Sequence, residues 1–511
     1  MGVAVKPFKV SLRRRTPTVI LACVVLTLLL FLLCLGTLER SEFRLQYGLP
    51  LGLEDALPDK IRAPKACRSD VDYLRRSTYN LTRQVVYQKR CLRGVRNATT
   101  SRDVTASEAR PLIEAGRQDI LELNHACHGA APADAPCDTI DVQVPPPFPR
   151  RDYSEFLFGV ASSSDRLMRS VPQFRHWLGS TEARLLAIVT DDNFSARQMS
   201  KLTAYYNKAG IRFIGARPAN ASVGVNEQHF LAVRELIRHV DANTDTDTNT
   251  NTRWGVIIDD DTFFPSLYPV ARALDELDTS VPVYAGGLSE NSHAVQFHGH
   301  MAYGGAGVFL SLPLMRLLEP NMEACLEGSP VREGDGMLKY CVDKTDTNLT
   351  QIPGLHQLDM GSDLSGFYES GSLPLSLHHW KTWHQAPVDK MFEVSRFCGG
   401  CALQRWRFGP DTLLANGYSI VVYKAGLEHI PLHRMEATWR GDGLDWEWSL
   451  GPTREKMAQG DKKSYYLLDA EVVGSSNLRQ VYVHRPDVVS SAAETREPTR
   501  DEVIELWWEF A

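Results

Sequence analysis

The stretch Trp254-Gly255-Val256-Ile257-Ile258-Asp259-Asp260-Asp261-Thr262-Phe263-Phe264 decides how this chain is read. Trp254 to Ile258 are apolar apart from one glycine, which predicts a buried strand. Three carboxylates follow without a break. On an extended backbone Asp259 and Asp261 point to one side and Asp260 to the other. Two carboxylates about 4 Å apart repel by roughly 4 kcal/mol at an effective dielectric near 20. A hard divalent cation between them would relieve that repulsion. The carboxyl ends of buried strands are also where open α/β sheets bind ligands. The alternative is an acidic turn, since short motifs recur by chance.

At 511 residues the chain exceeds one compact core and predicts two or three domains. Its net charge of −6, with no long basic tract, argues against a nucleic-acid partner. Residues 19–38 carry no charge and have about the length that spans a bilayer. Lys6, Lys9, Arg13, Arg14 and Arg15 precede them. This predicts a cytosolic tail at 1–18, a membrane anchor at 19–38 and the rest of the chain across the membrane. A cleaved secretory signal is the alternative, but its apolar region is shorter and no convincing cleavage site follows Leu38.

Cys23 and Cys34 fall in the anchor. The other eight of the 10 cysteines could pair fully in an oxidising lumen. Close spacing suggests Cys67–Cys91, Cys127–Cys137, Cys325–Cys341 and Cys398–Cys401. Cys398-Gly-Gly-Cys401 could instead be a redox or zinc motif, but no second ligand pair is evident. Asn80, Asn97, Asn193, Asn220 and Asn348 begin glycosylation triplets, which suits a lumenal chain.

Residues 39–150 lack sustained periodicity and end in the stiff Val144-Pro145-Pro146-Pro147-Phe148-Pro149, so they are expected to form a stem, with or without a small disulfide-tied subdomain, followed by a boundary. From Tyr153 the pattern changes. Phe156 to Ala161 and Leu185 to Val189 predict buried strands. Leu167, Val171, Phe174, Trp177 and Leu178 predict one helix face, and Phe230, Val233, Leu236, Ile237 and Val240 another. The rhythm predicts an α/β domain over 151–390 with a largely parallel sheet. Asp241 to Thr252 is polar filler lacking the calcium-loop glycine and terminal glutamate. The glycine run after Tyr303 lacks a GK[ST] ending, and its glycines are expected to let backbone approach a ligand. Residues 391–511 are expected to form a C-terminal subdomain packed on the catalytic domain.

Several pieces recur in one order: Phe158-Gly-Val with Arg166, Thr190-Asp191, Asp259-Asp260-Asp261, Tyr284-Ala-Gly-Gly, Gly304-Gly-Ala-Gly-Val, Gly334-Asp335-Gly336 and Leu377-His378-His379-Trp380. In these residues, over about 153–385, the chain resembles the Fringe-like glycosyltransferases. These are related to the β-1,3-glycosyltransferases that include Fringe and core-1 galactosyltransferase. It is especially similar to a fungal branch with an uncharacterised-domain label. The resemblance implies an α/β GT-A nucleotide-sugar transferase fold behind the anchor, in the Golgi lumen. It implies a UDP-sugar donor, Mn²⁺, a glycan or glycoprotein hydroxyl as acceptor, and inversion to a β-1,3 linkage. On this resemblance Asp259, Asp261 and His378 hold the metal, with His379 the alternative to His378. Arg166, Thr190, Asp191, Asp259, Asp260, Gly305 and Gly307 contact the donor, and Asp335 is the base.

Alternatives stand beside these roles. Asp335 could be a helix N-cap, which Asp favours, and Glu333 could be the base. His293, His298 and His300 could suggest a second metal site, but no carboxylate joins them at ligand spacing. Trp380 and Trp383 could stack on sugars or simply fill a core. At the level of function, the rivals are a non-catalytic lumenal glycan-binding protein on a degenerate transferase fold and a hydrolase using two carboxylates.

Overall fold

The computed structural model describes residues 69–114, 116, 118–124, 137–242, 251–441, 444–486 and 499–510. The expected tail and anchor lie outside the described residues, as do Cys67, Cys127 and the middle of the Thr/Asn/Asp tract. No helix among the described residues is long and apolar enough to cross a membrane.

Four strands come first: β1 (Gln84–Arg96), β2 (Ala106–Glu108), β3 (Asp119–Glu122) and β4 (Thr139–Val144). The next seven form one sheet: β5 (Phe156–Ser162), β6 (Arg184–Val189), β7 (Arg212–Ala216), β8 (Trp254–Ile257), β9 (Tyr284–Gly286), β10 (Val308–Ser311) and β11 (Leu349–Gln351). Its order is β11-β9-β10-β8-β5-β6-β7, so the strand before the three aspartates lies at the centre. β5 runs parallel to both β6 and β8, and only β10 is antiparallel to its neighbours.

Helices cover both faces, as a parallel sheet requires. Helix α1 (Ser164–Leu178) buries Leu167, Val171, Phe174, Trp177 and Leu178, and α2 (Ala196–Lys208) follows β6. Helix α3 (Val225–Ala242) buries Phe230, Val233, Leu236, Ile237 and Val240 on the opposite face, where Leu157, Ile188 and Ile257 meet it. Phe156, Phe158 and Val160 turn the other way, as strand alternation demands.

The segments expected as a stem and as a C-terminal subdomain share one sheet. Strands β12 (Arg405–Phe408), β13 (Thr412–Ala415), β14 (Ser419–Tyr423), β15 (Lys462–Val473), β16 (Asn477–His484) and β17 (Asp501–Phe510) join β1–β4 in a 10-stranded sheet. β17 lies parallel to β1 from Val85↔Asp501 to Gly94↔Phe510. Strands before the expected boundary at 150 and after the one at 391 thus belong to one sheet. Its inner side chains, among them Trp406, Tyr482 and Trp508, belong to the same apolar cluster as Phe156 and Phe174.

Cys325–Cys341 and Cys398–Cys401 pair as spacing suggests, but Cys91 pairs with Cys137. The expected Cys67–Cys91 and Cys127–Cys137 pairs are therefore corrected. β4 lies beside the second half of β1, with Cys91 opposite Thr139, which brings Cys137 to Cys91. Sequence proximity gives way to strand register here.

Candidate active site

β8 ends at Ile257, and the three aspartates leave the sheet in a turn rather than in the extended backbone expected. Thr262 holds that turn: its Oγ1 accepts from Asp259 N at 2.9 Å and donates to Gly305 O at 3.0 Å. Phe263 and Leu377 then exchange backbone hydrogen bonds of 2.9 and 2.8 Å, which places His378 against the aspartates. The indole N–H of Trp380 donates to Asp261 O at 2.6 Å. Trp380 is buried and serves the turn, whereas Trp383 is 50% exposed.

His378 Nε2 lies 3.2 Å from Asp259 Oδ2 and 3.1 Å from Asp261 Oδ1. Its Nδ1 faces Gln357 O at 3.2 Å, a carbonyl that fixes the ring orientation. Burial opposes charge on this imidazole, yet its hydrogen bonds to Asp259 and Asp261 outweigh burial and raise its pKa to about 10. Burial likewise opposes charge on Asp259, but His229 and His378 hold it well below the usual carboxylate range. Asp261 is lowered too, with burial opposed mainly by His378.

The donor atoms of Asp261, His378 and His379 lie within 4.8 Å of one another, the one such cluster of His, Cys, Asp and Glu among the described residues. His379 has φ +55°, an uncommon conformation for a non-glycine residue and one that clusters at functional sites. Its Nε2 meets Asp359 Oδ1 at 3.2 Å, and its ring stacks on Trp383 at 4.0 Å. Two imidazoles and a carboxylate form a donor set that suits a divalent cation. Both histidines of the pair thus stand at the cluster, where the sequence left a choice between them. His293, His298 and His300 enter no such cluster.

Asp260 points away from the histidines. Arg166 clamps it with two bonds of 2.5 and 2.6 Å, and Ser162 Oγ also donates to it. Asp191 accepts from Ser164 N at 2.5 Å and tethers the start of α1, while Thr190 N donates to Ser162 O at 3.1 Å. Arg166, Thr190, Asp191 and Asp260 therefore form one connected patch around the β5–α1 turn.

Asp335 is not an N-cap. Helix α4 (Gly334–Val342) has Glu333 at that position, and Glu333 is exposed. Asp335, inside the first turn, accepts from Gly304 N at 3.2 Å and Gly336 N at 3.0 Å. Burial, with Asp259 adding to it, raises its pKa despite His229 and the two N–H groups.

Two of the glycines leave room for side chains of the protein itself. A Cβ on Gly305 would fall 2.1 Å from His378 Nδ1, and one on Gly304 would fall 2.4 Å from His229 Cε1. Imidazole rings fill those spaces. Gly307 has φ +95° and packs on Phe264, so the turn itself requires glycine.

His229 was missed in the sequence. It sits four residues before the buried Val233 on the apolar stripe of α3, which was the available signal. Gln357 and Asp359 lie in an irregular loop with no pattern to mark them.

A family model described as a protein of unknown function, DUF604, matches residues 293–392, which include Asp335, His378 and His379. No curated protein matches the chain. Similar solved structures include glycosyltransferase GlyE of Streptococcus pneumoniae TIGR4, 14% identical over 47% of this chain and 59% of that one, TM-score 0.29. Mannosyltransferase PcManGT of Pyrobaculum calidifontis, in complex with GDP-Man and Mn²⁺, is 10% identical over 42% and 58%, TM-score 0.27. Galactosyltransferase LgtC with donor and acceptor sugar analogs is 12% identical over 48% and 92%, TM-score 0.29. The chain spans less than two thirds of the first two structures. At these identities and TM-scores the likenesses decide neither activity nor substrate.

Proposed function

We propose that this chain is a metal-dependent, inverting Fringe-like glycosyltransferase of GT-A type. It moves a hexose or N-acetylhexosamine from a UDP-sugar to a glycan or glycoprotein hydroxyl, forming a β-1,3 linkage. It acts in the Golgi lumen behind the anchor at 19–38. The observation that carries this reading is the meeting of Asp259 and Asp261 with His378, at 3.2 and 3.1 Å, from segments far apart in sequence.

Asp259, Asp261, His378 and His379 would hold Mn²⁺, which when bound stabilises charge on a departing nucleoside diphosphate. Gln357 O fixes the His378 ring, and Asp359 fixes that of His379. Such outer partners orient ligands and tune their basicity. Arg166, with its guanidinium on Asp260 and its side chain 59% exposed, keeps a positive edge toward the donor phosphates. Asp335 takes the proton of the acceptor hydroxyl. Its raised pKa makes it a stronger base than an ordinary carboxylate, and the N–H groups of Gly304 and Gly336 hold its oxygens in place.

The test uses thermal melts with Mn²⁺ and UDP, then UDP release from a panel of UDP-sugars with glycan acceptors. Mn²⁺ and UDP together raise the melting temperature of wild type and Asp335→Asn alike. Turnover falls by about 10²-fold or more in Asp335→Asn alone. UDP binding without turnover in any pairing favours the glycan-binding alternative, and a melt indifferent to Mn²⁺ and UDP removes the reading.

A further inference from the structure

His229 stands at the site with no role in the reading above. It enters from the first turns of α3. Its ring is wedged between two backbone segments: a Cβ on Gly304 would lie 2.4 Å from Cε1, and one on Gly334 2.7 Å from Nδ1. Those glycines also flank Asp335, since Gly304 N donates to that carboxylate. The ring therefore has one place to be.

Its Nε2 is buried and has no hydrogen-bond partner, yet it lies 3.5 Å from Asp259 Oδ1. An N–H···O bond spans about 2.7–3.2 Å, so the gap is slightly open. Contacts in unloaded sites are often long and tighten when the ligand arrives. Buried polar atoms usually have a partner, so an unpartnered Nε2 that faces a carboxylate calls for an explanation. His229 stands, like Asp259, outside the cluster of Asp261, His378 and His379 whose donor atoms lie within 4.8 Å of one another. It touches the other oxygen of a carboxylate whose Oδ2 faces His378.

We propose that His229 is a positioning residue for Asp259. Its Nε2–H closes on Asp259 Oδ1 in the loaded protein and keeps Oδ2 turned toward the metal position. This rests on the metal-and-donor reading above.

The experiment measures Mn²⁺ affinity in the presence of UDP by calorimetry on the full-length protein. His229→Phe, which keeps an aromatic ring of somewhat larger size and loses the donor, is expected to weaken Mn²⁺ binding about tenfold or more. His229→Gln, which restores an N–H donor, returns it to within about threefold of wild type. Should the Phe variant fail to fold, His229→Leu replaces it. Equal binding by the apolar variant and wild type overturns the proposal, and so does an equal loss in the Gln and apolar variants. Wild type that shows no Mn²⁺-dependent UDP binding overturns the underlying reading as well, which separates the two failures.

Discussion

His176 shows how a single side chain can set the acid limit of this fold. Its Nε2 donates to Pro265 O at 3.1 Å, and its ring packs on Phe263, two residues from Asp261. Burial lowers its pKa to about 4, with Arg396 adding to that and the Pro265 carbonyl opposing it. The unfolded chain takes up this proton near 6.5. Unfolding therefore binds a proton between those values, so stability is whole above pH 6.5 and falls as the pH drops toward 4. The full effect is about 3 kcal/mol. Urea unfolding at pH 7 and 4.5 checks it: wild type loses stability across that interval, and His176→Gln loses about 2 kcal/mol less. Among single residues, the sequence marked those that sit in motifs. Asp259, Asp261 and His378 do meet. His229 stayed hidden because one histidine on an apolar helix stripe looks like ordinary core.

At the scale of elements, the turn after Tyr303 acts as a mould for two imidazoles. Gly305 has an ordinary backbone conformation, so its lack of a side chain matters for space alone. Gly305→Ala would press a methyl group against His378, whose ring is held by Gln357, Asp259 and Asp261. Overpacking of this kind costs about 1–3 kcal/mol. The expected outcome is a lower melting temperature together with loss of Mn²⁺-dependent stabilisation. Retention of that stabilisation would show that His378 is not needed for it. The central strands were legible because each is short, apolar and bounded by turn residues, as Phe156–Ser162 and Trp254–Ile257 are. The glycines were legible as a motif but not in purpose, since what fills the space beside a glycine comes from elsewhere in the chain. Phe263 and Leu377, whose bridge assembles the site, lie more than a hundred residues apart, and no local pattern records their pairing.

Across the whole molecule, the large sheet ties both ends of the described chain together. β17 is its inner strand between β16 and β1, paired over ten residues with the strand at Gln84–Arg96. Val503, Ile504, Leu506, Trp508 and Phe510 are all buried, and the Trp508 indole donates to Gln480 at 2.7 Å. At about 1.5–3 kcal/mol for each buried apolar side chain, their loss is comparable with the roughly 5–15 kcal/mol that holds a domain folded. Removal would also leave β1 and β16 with unpaired edges inside the sheet, a template for aggregation. Reading the two terminal regions as a stem and a packed C-terminal subdomain left their shared sheet unseen, because pairing over some four hundred residues leaves no mark in hydrophobic periodicity. A separate stem and subdomain would tolerate trimming, whereas one sheet would not. A chain ending at residue 500 is therefore expected to be insoluble or protease-sensitive throughout, including at 151–390, although every residue proposed for catalysis is retained. Limited proteolysis beside the full-length protein decides the matter: a protected fragment spanning 151–390 would mean that the catalytic unit folds without the sheet.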